Sequence, residues 1–173
     1  MNYGALETAL WEWLSTATGL ETRLSDQDAP QTDVDWCTVR VNLVQGDGTL
    51  PTQTRRLLPT PDPGAELEVT HSERLMVSVT VQAYTTAANG PTCAVEVLRK
   101  VRPTLVLEDV RRRFAETAGF AVLTRGDVRN LNALVGPRWH GRAALEFVGT
   151  VLDAVTETTT YIETTDVSVE QGG

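Results

Sequence analysis

Near the start of the chain, Tyr3, Leu6, Leu10, Trp13 and Leu14 recur at three- and four-residue steps, the spacing that gathers apolar side chains on one stripe of a helix. Asn2 can cap the first turn and Gly19 can end the last, so an amphipathic helix is expected between them. Trp11 falls off the stripe. Its indole either faces a partner or joins Trp13 in a wide core. From Trp36 the period changes: Cys37, Val39, Val41 and Leu43 alternate with Trp36, Thr38, Arg40 and Asn42, which predicts a half-buried strand over 35–45. Gly46-Asp47-Gly48 supplies a turn, and with no third glycine and no following helix it is a poor phosphate loop. Leu50 to Gly64 carries Pro51, Pro59, Pro61 and Pro63, which remove backbone donors and make this a loop with room for a short strand near Thr54 to Leu58.

The clearest alternation follows. Leu67, Val69, Leu75, Val77, Val79, Val81 and Ala83 hold one phase, and Glu68, Thr70, Ser72, Arg74, Ser78, Thr80 and Gln82 the other. Continuing that phase through 71–73 places His71 and Glu73 on the apolar side, so the strand there either overhangs the core or bulges. Asn89-Gly90-Pro91 looks like a helix start, with the stripe Ala94, Val97, Leu98 and Val101 predicting a helix over about 91–102 that Pro103 interrupts. A second helix, Leu107 to Ala118, should end at Gly119. Phe120 to Thr124 reads as a short strand and Gly126 to Gly136 as a connection. Trp139, Gly141, Ala143, Leu145, Phe147, Gly149 and Val151 then alternate with Arg138, His140, Arg142 and Glu146 along a second long strand. Asp153 to Glu157 reads as a turn and Thr158 to Val169 as a Thr-rich return, together a long hairpin. The expected fold is α+β: an antiparallel sheet of long strands with a C-terminal hairpin, packed by the N-terminal helix and the central pair of helices, in one domain over 1–170 with a tail at 171–173.

Composition supports that class. Thr, Val and Ile number 25, 21 and 1, or 47 of 173 residues, and such side chains suit a pleated surface better than a helix. A net charge of -8 repels a phosphate backbone, which argues against a free-standing nucleic-acid binder. The cations are 14 Arg and the single Lys100, and Arg suits bidentate pairing at interfaces. No basic region precedes an apolar stretch near Met1, and no run approaches the length that spans a bilayer, so neither export nor a membrane is expected.

Candidate chemistry is thin. Cys37 and Cys93 are isolated, which suits a reducing compartment and gives no zinc or redox motif. His71-Ser72-Glu73 has the H-x-E form used by zinc deaminases, but the accompanying P-C-x-x-C is absent. No nucleophile elbow, Walker lysine or H-E-x-x-H occurs. The Arg111-Arg112-Arg113 run can pair with Glu108, Asp109 and Glu116 at helical spacing, so it reads as a solvated or subunit-pairing face before a phosphate site. No catalytic residue, cofactor or metal is therefore expected. Long strands that a chain of this size cannot cover do need pairing partners, which self-association would supply.

The helix with Trp11-Glu12-Trp13, the strand Glu73 to Val81, the helix Cys93 to Val101, and the strand Arg142-Ala143-Ala144-Leu145-Glu146 leading to Tyr161-Ile162-Glu163 follow one another in an order that resembles the neck or tail terminator proteins of long-tailed bacteriophages, over about residues 1–170. The resemblance implies a structural virion protein without enzymatic activity. It would form a hexameric ring that caps the head-proximal end of the tail tube, stops its polymerisation and docks the head connector or completion protein. Genomic DNA would pass through without specific binding, and the protein would reside in the host cytoplasm during assembly and then in the virion. Alternatives are another head–tail joining protein (adaptor, stopper or tail tube subunit) and a small phage-encoded enzyme using His71, Glu73 and a metal. Subunit contacts are expected at His71, Glu73 and Arg74 around the phase break, at Arg142 and Glu146 on the polar face of their strand, and at Tyr161.

Overall fold

The computed structural model describes residues 2–25, 34–46, 48–57, 66–86, 93–135 and 138–160. Helix α1, Tyr3–Thr18, forms where the apolar stripe predicts it. The Asn2 side chain accepts a hydrogen bond from the Ala5 amide, and Gly19 ends the helix at φ 66°, a left-handed conformation that costs glycine nothing. Strand β1, Glu21–Leu24, follows. Then come β2 (Trp36–Gly46), β3 (Thr52–Leu57) and the 20-residue β4 (Glu66–Thr85). Helix α2 (Ala94–Val101) leads into a 3-10 turn over Arg102–Val106 and into α3 (Glu108–Ala118), which stops at Gly119. Strands β5 (Phe120–Asn130), β6 (Ala133–Val135) and β7 (Arg138–Thr160) complete the described chain. The class is α+β, with a mostly antiparallel sheet in the order β1-β2-β4-β7-β5; β3 pairs with β4 and β6 with β7.

Two units make up the chain: Met1–Gly48 with Arg74–Leu152, and Thr49–Glu73 with Asp153–Gly173. The division falls inside β4, between Glu73 and Arg74, which is where the apolar phase breaks at His71 and Glu73. The β3–β4 register runs without a shift from Thr52↔Ser72 to Leu57↔Leu67, so β4 does not bulge against β3 over Leu67 to Ser72. A register shift does occur between β2 and β4, between Val41 and Leu43.

In the first unit the alternation sorts the sheet into two faces. Cys37, Val39, Val77, Val79, Val81, Ala83, Ala143, Leu145 and Phe147 are buried with Leu6, Leu10, Trp13 and Leu14 of α1, Leu98 of α2 and Phe114 of α3. Trp13 meets Phe114 and Phe147 edge-on, each at 5.8 Å between ring centroids, and its Nε1 donates to Thr104 Oγ1 at 2.9 Å, so the indole is both packed and satisfied. Gly149 leaves room for Phe120: a methyl group at that position would overlap the ring.

Three expectations change, and one strand is new. Asp153 to Glu157 is no turn, because β7 runs on to Thr160. Its Thr and Val residues favour extended backbone, and the rest of the expected return, 161–169, lies outside the described residues. Phe120 to Thr124 is the first half of a strand that reaches Asn130, and the Gly126 to Gly136 connection is mostly β5 and β6. Two register shifts in β5, between Val122 and Thr124 and between Arg125 and Val128, scramble the period that would have revealed it. Helix α2 begins at Ala94, not near 91; residues 87–92 lie outside the description. Strand β1 pairs in parallel with β2 from Glu21↔Trp36 to Leu24↔Val39 and was not foreseen, four residues being too few to show alternation.

Candidate interaction face

The polar phase of the strands forms the second face of the first unit's sheet. The β2–β4 register sets Trp36 opposite Tyr84, Thr38 opposite Gln82 and Arg40 opposite Thr80. Trp36 and Tyr84 stack nearly parallel, 8° apart with centroids at 4.2 Å. Guanidinium groups flank the stack: Arg23 from β1 lies 5.1 Å from the Trp36 ring and Arg142 from β7 lies 5.3 Å from the Tyr84 ring. Four neighbouring strands thus each give one member to a cation–aromatic–aromatic–cation row, an arrangement that attracts through the ring quadrupoles.

Gln82 fixes one end of this row. Its Oε1 accepts from Arg142 Nη2 at 2.8 Å, from Arg142 Nε at 3.2 Å and from the Tyr84 hydroxyl at 2.6 Å. The Arg142 amide donates to Asn132 Oδ1 at 3.0 Å. The half-buried guanidinium is therefore held in place by neutral groups, and among the described residues it makes no ion pair. Glu146, the other contact residue expected on this strand's polar face, engages Arg129 of β5. Arg23 pairs with Glu21 at 2.6 Å. Above the row is a concavity of about 350 Å³ bordered by Arg23, Arg40, Arg142, Trp36, Tyr84 and Glu146 among others.

A family model described as phage neck terminator protein matches residues 4–173. The chain belongs to that family. No curated protein matches it significantly. A neck terminator is a structural component of a phage virion, and this one has no described helix long and apolar enough to cross a membrane.

The remaining expected contact residues of this neck terminator are His71, Glu73, Arg74 and Tyr161. His71 and Glu157 belong to the second unit, where His71 Nε2 comes within 3.6 Å of a Glu157 carboxylate oxygen and the Thr70 and Thr156 hydroxyls lie 3.0 Å apart. Glu73 is half-buried and Arg74 exposed, and Tyr161 is outside the described residues. Among the described residues, no group of three or more His, Cys, Asp or Glu side chains could hold a metal ion. Arg111, Arg112 and Arg113 are exposed on α3, with Arg112 on Asp109 at 2.9 Å, the solvated pairing that the spacing suggests. Cys37 is buried, and desolvation pushes its thiol up to about 12, far from a reactive thiolate.

Trp36, Tyr84, Gln82 and Arg23 were missed as members of a shared site. A signal did exist: Trp36 and Tyr84 are large aromatics on the polar phase of two strands. What could not be read was the register that sets them opposite each other.

Proposed function

We propose that this neck terminator assembles as a hexameric ring on the head-proximal end of the tail tube, stops tube growth and offers its other side to the head connector or completion protein. One observation carries the reading beyond the family. The first unit buries one sheet face under α1, α2 and α3, while the opposite face sets the Trp36–Tyr84 stack between two guanidiniums beside a concavity. A sheet face prepared in this way suits a protein contact, since Arg, Trp and Tyr are the residues enriched at interface hot spots. Residues 1–170 act as one assembling piece in this reading, with the segments around 70–75 and 153–158 touching a neighbour or the tube. The role is structural, and DNA crosses the ring without being held.

Tube growth tests this. Purified chain added to polymerising tail tube protein should cap tubes at one end and hold their length constant. Tubes that lengthen as if nothing were added would overturn the terminator reading. Incorporation along the tube wall would instead identify a tube subunit, and binding to the isolated connector without any effect on tubes would identify an adaptor or stopper.

A further inference from the structure

We propose that Trp11 closes the outer edge of the sheet at β1 against the addition of a strand from another chain. Strand β1 ends the sheet order, with β2 on one side and no further described strand on the other. The inference concerns how the sheet stops within one copy, so it stands apart from the ring reading.

Backbone direction shows which groups face outward. Just past β1, the Ser25 amide donates to the Val39 carbonyl of β2 at 3.2 Å, and the backbone polar groups of successive residues in a strand point to opposite sides. Glu21 and Arg23 therefore share the direction of Ser25, while Thr22 and Leu24 point away from β2, where outward N–H and C=O groups can template another strand. Trp11 occupies the Thr22 acceptor: its Nε1 donates to that carbonyl at 2.7 Å, and the ring stays 42% exposed. Off the apolar stripe of α1, it does not join Trp13 in the core but stands over the edge. An open concavity of about 370 Å³ borders Trp11 and Leu24, so an incoming strand meets the indole first. Charge is a weaker guard here, because Glu21 and Arg23 pair with each other at 2.6 Å. The far edge is closed by other means. Two register shifts interrupt β5, and Arg102 Nε donates at 2.8 Å to the Gly126 carbonyl within the second; such irregularities spoil a strand as a template.

The test is Trp11→Ala in the full-length chain, read as weight-average mass by sedimentation alongside the melting temperature. With the Thr22 carbonyl released, two β1 edges can pair, so the mass should rise at least roughly twofold over the wild type at equal concentration. Adding Leu24→Pro deletes the outward N–H that pairing needs and should return the mass to the wild-type value, whereas association through unfolded chains would grow with this second change. Leu24 is half-buried, so Trp11→Gln, which keeps an N–H donor at similar reach, is the readable control if the double variant fails to fold; it should stay at the wild-type mass. Trp11→Ala at the wild-type mass, even with a lower melting temperature, would overturn the proposal and leave the indole a role in the fold alone. So would a raised mass that persists in both Trp11→Gln and the folded double variant. The readout is a ratio to the wild type, so a chain that forms no ring leaves this test intact.

Discussion

Four aromatic side chains hold α1, α3, β5 and β7 together. Trp13, Phe114, Phe120 and Phe147 form a continuous cluster of three edge-to-face contacts and one tilted contact, all with less than 3% exposure. Phe114→Ala should cost about 3–5 kcal/mol, because truncation removes both transfer energy and packing that neighbours cannot refill; chemical denaturation measures it. Cys37 gives a pH signature. In the fold its thiol titrates at about 12 against an ordinary value of 9.0, so above that ordinary value the unfolded chain binds fewer protons than the folded one. Stability should therefore fall as pH rises through this window, by up to about 1.4 kcal/mol per unit. The slope should be shallower in Cys37→Ala, and identical slopes would show that the thiol is not buried as described. A thiol reagent at pH 8 should leave Cys37 unlabelled until the protein is unfolded.

Among the elements, the polar side of the sheet is organised through Gln82. Replacing it with Met would leave Arg142 and the Tyr84 hydroxyl without their shared acceptor, a loss of about 1 kcal/mol in the half-exposed setting, and should lower association by more than it lowers the melting temperature. Equal losses would mean that Gln82 serves the fold alone. In the second unit, β4 from Glu66 to Glu73 and β7 from Asp153 to Thr160 should gain protection from hydrogen exchange when the chain binds tails; unchanged exchange would remove these segments from the proposed contact. The sequence made α1, β2, β4, α3 and the first part of β7 legible because each repeats one period long enough to be counted. Strand β5 was only half visible because its bulges reset the phase, and β1 is too short to show one. The extension of β7 was hidden by reading Asp153 to Glu157 as punctuation, though it has neither Gly nor Pro. Arg142 was legible as a polar-face residue. Its partners were not, because Gln82 lies 60 positions away and strand order brings them together.

For the molecule as a whole, charge constrains the role. A net -8 per copy favours a passage through which DNA moves without adhering, since non-specific affinity grows with counterions released by a positive surface. Titrating the assembled ring with duplex DNA at low salt should show no submicromolar binding. Tight binding that collapses with added salt would mean that the arginines of α3 face the channel and act as a brake. The central claim is the ring itself, and imaging of the phage neck tests it most directly. A sixfold layer of this chain between the last tube ring and the connector is the predicted result. A neck without such a layer, or one in which this chain follows another symmetry, would contradict it.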